Sequence, residues 1–323
     1  MNQTRRQFVR TLFVATQAAA FAPLLSGKLF AADAKTAALN FLVFGDWGRN
    51  GEKDQADVAA QMEVTAKLVD AKFIISVGDN FYENGVSSAD DPHWQSSFEK
   101  VYAAPSLQVP WHVALGNHDY HGNCDAQIEY HKVSPRWNMP ARYYVRSEKI
   151  DDATTVDFFY LDTTPMIKGY YRATNPERTR AHVITQDVPK QLAWFKAALA
   201  ASKAHWKIVI GHHPIYSGGG MLGHGDTPEL IENILPLLQE HQVPVYFNGH
   251  DHNLQHLQTG TVNMFDSGAG SRFRPVADTK HTKFAKGCSG FTAVALQADR
   301  MDVRMIDDMG KVLYATSVPR VST

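Results

Sequence analysis

Cysteine is scarce in this chain. Cys124 and Cys288 are the only two in 323 residues. That is too few for a thiolate metal cage, and it permits one disulfide at most, in an oxidising compartment. Excess charge of one sign is missing as well. Lys and Arg total 32 against 33 for Asp and Glu, a net charge of -1, so bulk electrostatics give no reason to expect nucleic acid or an acidic membrane surface as partner. Long apolar runs are also absent. The best candidate, Thr11 to Leu25, is interrupted by Thr16, Gln17 and Pro23. It is too short to span a bilayer, and no stable membrane association is expected. Beyond residue 34 there is no repeat, no low-complexity tract and no linker, so residues 35–323 read as one domain. What the chain does carry is histidine, fifteen residues of it, the commonest metal-ligating side chain.

The N-terminal stretch "TRRQFVRTLFVATQAAAFAPLLSG" opens with Arg5, Arg6 and Phe8, continues through a weakly apolar run, and is followed by small residues from Ala31 to Ala34. Residues 1–34 therefore read as a twin-arginine (Tat) export signal. The expectation is a bacterial-type periplasmic or secreted protein whose precursor meets the Tat machinery. Export after folding suits a protein that must take up metal before it leaves the cytoplasm.

Short apolar runs then recur, each ending in a polar, glycine-containing turn. "LNFLVF" leads into "GDWG", "FIISV" into "GDNFY", "WHVAL" into "GNHD", "DFFYL" into "DTT", "KIVI" into "GHHP", "VPVYF" into "NGHDH" and "VNMF" into "DSGAG". Runs of this length, rich in Val, Ile and Phe, predict buried strands. Helical periodicity separates some of them. Gln55 to Asp70 aligns Val58, Met62 and Val69. Val188 to Ala201 aligns Leu192, Phe195 and Leu199, with Pro189 placed for a first turn. Thr227-Pro228 predicts a further helix start, and Pro236 predicts a split in that helix. The C-terminal part alternates and turns at Asp-Met-Gly, which predicts antiparallel strands. The class is α/β with mixed rather than wholly parallel sheets.

In open α/β sheets, ligands sit beyond the carboxyl ends of strands. The residues placed there are Asp46; Asp79 and Tyr82; Asn117 and His118; His212 and His213; His250 and His252. Each alone reads as a turn residue, a packed aromatic or a solvated edge. Five strand-end turns all carrying oxygen or imidazole ligands are a different matter. Such donors suit Fe, Mn and Zn. Their number exceeds the needs of one ion and matches two ions sharing a carboxylate, an arrangement suited to phosphoryl displacement.

"GDWG", "GDNFY", "GNHD", "GHHP" and "NGHDHN" occur in the order found in the calcineurin-like metallophosphoesterases. The tyrosine three residues after Asp79 resembles the purple acid phosphatases. The stretches "GNHDYHGNCDAQIEYHKVSPRWNMPARYY", "QLAWFKAALAAS" and "SGAG" resemble their small, single-domain, tartrate-resistant type. The resemblance runs from about Phe41 to Gly270. It implies a four-layer αββα sandwich of two mixed sheets flanked by helices. It implies a ferric ion held by Asp46, Asp79, Tyr82 and His252, and a divalent ion (Fe, Zn or Mn) held by Asp79, Asn117, His212 and His250. It implies hydrolysis of phosphomonoesters by in-line attack of a metal-held hydroxide, with a histidine protonating the leaving group.

For that histidine the candidates are His118, with Asp119 as orienting partner, and His224. The segment before His224 is longer and richer in glycine than in the small type. Asn80 is expected to support Asp79, and His213 to lie near the site. His121 and His256 are expected nearby or at the surface. Thr163 to Asp187 is polar and weakly patterned, with Lys168, Arg172, Arg178 and Arg180 on it, and the resemblance implies a long exposed loop near the site there. Arg272 and Arg274 follow a strand-end turn. The rival readings are a phosphodiesterase or nucleotidase on the same scaffold and, more distantly, a periplasmic iron- or phosphate-binding protein.

Overall fold

The computed structural model describes residues 38–172, 177–220 and 224–321. The export-signal reading of residues 1–34 lies outside them, while Ala37–Thr323 clusters as one compact unit. Each apolar run named above begins or forms a strand. In chain order the strands are β1 (Leu39–Phe44), β2 (Phe73–Ser76), β3 (Trp111–Val113), β4 (Trp137–Asn138), β5 (Tyr144–Lys149), β6 (Thr155–Tyr160), β7 (Trp206–Ile210), β8 (Val245–Asn248), β9 (Leu254–Thr259), β10 (Val262–Ser267), β11 (Thr282–Lys286), β12 (Gly290–Leu296), β13 (Arg300–Asp307) and β14 (Val312–Pro319). They build two seven-stranded sheets, in the orders β14-β13-β12-β1-β2-β3-β4 and β11-β9-β10-β8-β7-β6-β5. Each sheet has a parallel centre, β1-β2-β3-β4 in one and β10-β8-β7-β6 in the other. Antiparallel strands lie at the margins, and β12, β13 and β14 among them are those the alternating C-terminal sequence predicts.

Central strands are apolar on both faces because both faces are covered. Phe41 of β1 points at the opposing sheet, with ring centroids 5.5 Å from Phe158 and 6.5 Å from Phe247. Phe44, three positions on, points the other way, into a cluster of Trp47, Tyr102 and Trp111. Across the sandwich, Ser267 of β10 donates to the Val43 carbonyl at 2.9 Å. On the outer face of the second sheet, Phe159, Val209, Tyr246 and Met264 pack with Phe195, Leu199, Leu230 and Leu238.

The helix Gln55–Val69 buries Val58, Met62 and Val69 as its periodicity requires. The helix Val188–Ala201 starts at Asp187, whose carboxylate accepts from the Lys190 amide at 2.9 Å. Pro236 does split its helix, into Pro228–Asn233 and Leu235–Glu240, because its ring cannot continue the first.

Among the described residues, the segment after Thr163 is not wholly an exposed loop. Thr163, Thr164, Pro165 and Met166 are buried, Lys168–Tyr171 forms a short 3-10 turn, and Glu177–Val183 is helical with Val183 buried. Its apolar residues are too widely spaced for periodicity to reveal them. Cys124 and Cys288 are not joined to each other.

Candidate metal centre

The parallel centres of the two sheets end at the same edge of the sandwich, and short backbone bonds stitch their exits together. Asp46 N donates to Gly78 O at 2.9 Å, Gly45 N to Ser267 O at 2.9 Å, and Gly249 N to His212 O at 3.0 Å. Turns remote in sequence thereby face one another. Their glycines are needed for the close approach. A Cβ on Gly116 would overlap the Asp79 carboxylate, and one on Gly78, at φ +100°, would meet the His212 ring.

The side chains gather at two poles. At the first, the Tyr82 hydroxyl lies 2.8 Å from Asp46 Oδ1, 2.8 Å from Asp79 Oδ2 and 3.1 Å from His252 Nε2. At the second, Asn117 Oδ1 lies 3.2 Å from His212 Nε2 and 3.0 Å from His250 Nδ1, and those two nitrogens are 3.3 Å apart. Asp79 spans both: Oδ2 faces the tyrosine while Oδ1 lies 3.5 Å from His212 Nε2. All seven residues expected as metal ligands are therefore brought together.

The hydrogen bonding at the second pole fits a cation. His212 Nδ1 is 2.9 Å from the Val77 carbonyl, which can only accept, so the proton sits on Nδ1 and the Nε2 lone pair faces the centre. Nε2 then meets an amide oxygen and a second imidazole nitrogen, and a positive ion satisfies all three donors. Charge points the same way. Asp46 and Asp79 are fully buried. Burial, with Asp79 beside it, pushes Asp46 up to about 7. Burial opposes charging His212, yet the Asp79 and Asp46 carboxylates lift it to about 9, so a proton there takes the place a metal would fill. Burial raises the Tyr82 phenol well above its ordinary range, and the two carboxylates add to that. Only a cation beside its oxygen makes a phenolate favourable there.

The remaining expected residues fall into place around these poles. His118 donates its backbone N–H to Asp79 Oδ1 at 2.7 Å, and its Nδ1 lies 2.7 Å from the Glu83 carbonyl. Asp119 does not orient it. Consecutive side chains diverge here, and the Asp119 carboxylate instead accepts from the amides of Asn80, Phe81 and Gly116 and from the Asn80 and Gln127 side chains. Asn80 likewise does not reach the Asp79 carboxylate. It bonds Ser76, Ala114, Asp119 and Gln127, clamping the ends of β2 and β3.

His213 is buried with both nitrogens engaged, Nδ1 at 2.9 Å from Thr163 Oγ1 and Nε2 at 2.9 Å from Tyr170 Oη. Thr163 Oγ1 already accepts from the His212 and His213 amides, so its own proton goes to His213 Nδ1. That makes His213 a buttress, although its ring nitrogens lie close to those of His212 and His250.

His224 lies over the second pole, its ring 4.4 Å from that of His250, and its Nε2 accepts from the Arg274 guanidinium. Asp251 supports the turn, accepting from Ser217 Oγ and from Gln255 Nε2 at 3.0 Å. His256 is buried away from the site, tied to Tyr314 at 2.9 Å and Asn263 at 3.0 Å.

Sequence reasoning did not single out Arg49, Glu83, Thr163 or Tyr170. Glu83 and Arg49 directly follow the two N-terminal motifs, which was the available signal. Thr163 and Tyr170 had none, since only the fold carries them to His213.

The family model for calcineurin-like phosphoesterases matches residues 39–254. Tartrate-resistant acid phosphatase type 5 from Sus scrofa is 39% identical over 310 residues, covering 89% of this chain and 88% of that protein. Purple acid phosphatase 17 from Arabidopsis thaliana is 38% identical over 296 residues, covering 85% and 83%. Among solved structures, GAP50, the anchor in the inner membrane complex of Plasmodium, superposes with a TM-score of 0.77 at 24% identity, covering 88% of this chain and 90% of that one, which speaks to the fold alone. Motif order, two-sheet architecture and sequence identity over most of the chain agree: this chain belongs to the calcineurin-like phosphoesterases, in their purple, tartrate-resistant acid phosphatase branch.

Proposed function

We propose that this chain is a binuclear-metal acid phosphatase acting on phosphomonoesters. The observation that carries the proposal is the pair of donor poles joined by Asp79, one with a phenol and one without. Asp46, Asp79, Tyr82 and His252 would hold a ferric ion, the oxygen-rich set with the tyrosine. Asp79, Asn117, His212 and His250 would hold Fe, Zn or Mn in the divalent state. When bound, the pair supplies Lewis-acid activation of a water nucleophile and of the phosphoryl oxygen.

The chain's own residues do the rest. The turns hold the donors in place through backbone bonds between neighbouring turns and, at Asn117, through the Gly116 and His118 amides bound to the Asp119 and Asp79 carboxylates. His118 keeps Nδ1 on the Glu83 carbonyl, which leaves Nε2 to hold the proton that the leaving alkoxide takes. His224 Nε2 is occupied by Arg274, so this pair is better suited to binding the anionic ester than to donating a proton to it. His213, Thr163 and Tyr170 hold the second pole from behind.

The test is metal analysis and an absorption spectrum of the purified protein, together with hydrolysis of p-nitrophenyl phosphate and of its bis-ester. Iron at one equivalent with zinc or manganese, or at two equivalents, together with a visible phenolate band and preference for the monoester, supports the proposal. Preference for the bis-ester would replace it with a phosphodiesterase, and a metal-loaded protein inactive at every pH with a binding protein. For residues 1–34 the proposal is twin-arginine export to the periplasm or medium. Retention of the Arg5→Lys, Arg6→Lys double variant in the cytoplasm supports it, and unchanged export refutes it.

A further inference from the structure

This inference rests on the reading of Tyr82 as a phenolate ligand. Arg49, in the turn after β1, lays its guanidinium over the Tyr82 ring, Cζ 3.6 Å from the centroid. The group is fixed from two sides. Nε donates to Ser271 Oγ at 3.2 Å, and Nη1 pairs with Glu83 Oε1 at 2.5 Å. The Arg49 side chain is only 10% exposed, while Glu83 is 65% exposed. Glu83 directly follows Tyr82, so the residue beside the phenol holds the cation above it. Ser271 is itself anchored, donating to the Asp46 carbonyl at 2.5 Å. The clamp thus runs from one expected ligand, across the ring of a second, and back to the segment of the first.

A cation over an aromatic face attracts its π electrons, and a phenolate ring offers more negative charge than a phenol. Arginine suits the task better than lysine because its plane stacks and its charge is permanent. We propose that Arg49 is a positioning residue acting through Tyr82: its guanidinium withdraws π density from the phenolate and so limits how strongly that oxygen donates to the ferric ion it would hold. The positive charge lies on the ring, nearer the electron-donating orbital than the metal beyond the oxygen. It lowers the donor level more than the acceptor level. The visible phenolate-to-iron band of the native protein therefore lies at shorter wavelength than it would without Arg49.

The experiment compares the iron-loaded native protein with Arg49→Met and Arg49→Lys, recording band position, iron content and KM for p-nitrophenyl phosphate. The expected result is a red shift in Arg49→Met at full iron content, and a smaller red shift in Arg49→Lys, which keeps charge but cannot stack flat. A band unmoved in both variants overturns the proposal. So do equal shifts in both, which indicate packing rather than charge. Loss of iron from both variants points to a role in assembling the site. A raised KM with an unmoved band points to an arginine that binds substrate. If the iron-loaded native protein shows no visible band, the phenolate reading beneath the inference fails instead.

Discussion

Asp46, Asp79, His250 and His252 all sit in the left-handed region, at φ 60°, 50°, 77° and 55°. Non-glycine residues go there at a cost of roughly 1–2 kcal/mol each. Among the described residues, the other non-glycine residues with positive φ, Asn50, Lys53, Asp70 and Gln242, lie outside the donor set. Strain concentrated on donor residues is a mark of function when it is observed rather than assumed. A paired substitution isolates it. In metal-free protein, His250→Gly should be more stable than His250→Ala by about 1 kcal/mol, and so melt at higher temperature, since only alanine keeps the penalty. Equal melting of the two variants would remove the strain argument. His118 makes the second case at this scale. His118→Asn should lower kcat by ~10²–10⁴ with metal content unchanged. A full rate in that variant would move the proton-donor role to another residue.

At the scale of elements, the turns matter more than the strands that feed them. Gly116 is required because a Cβ there would overlap both Asp79 Oδ1 and the Asp79 backbone nitrogen. Gly116→Ala should therefore bind less than one full complement of metal and also melt below the native protein in chelator, because the backbone contact cannot relax cheaply. Full metal occupancy would show that the turn can move aside.

A second element-scale prediction concerns Asp162, at the end of β6. It is buried, accepts from the Tyr120 hydroxyl at 2.5 Å, and is pushed by burial from 3.8 up to about 7. Its folded form binds the proton more tightly than its unfolded form. The stability this provides is complete below about 4 and is lost as pH rises through 7. Asn cannot titrate, so the melting temperature of Asp162→Asn should gain on the native protein across that window. A constant difference at all pH values would count against a raised pKa.

For the whole molecule, two sheets contribute different donor side chains to one centre: Asp46, Asp79, Tyr82 and Asn117 follow β1, β2 and β3, while His212, His250 and His252 follow β7 and β8. Ions bound at the joint edge should therefore hold the sheets together. Ligand linkage stabilises by about 2.7 kcal/mol at 100 times Kd. Removing both ions by chelation under reducing conditions should lower Tm by on the order of 5 °C or more, and adding iron with zinc should restore it. An unchanged Tm would mean that the sheet–sheet core, Phe41 and Phe158 included, carries the joint unaided.

The sequence by itself determined the strand-and-turn grammar, the principal helices, the mixed-sheet class and the set of donor residues. These are local: a buried strand must be apolar, a turn that approaches a ligand must contain glycine, and donor chemistry is written in the residue type. Only the tertiary structure decided where neighbouring side chains point. It turned Asp119 and Asn80 away from the roles their adjacency suggested. It buried His256 and His213 in hydrogen bonds, and it folded the segment after Thr163 onto the site. It also placed Arg49 over Tyr82. Many such contacts join residues tens to hundreds of positions apart, and no periodicity within a segment encodes them.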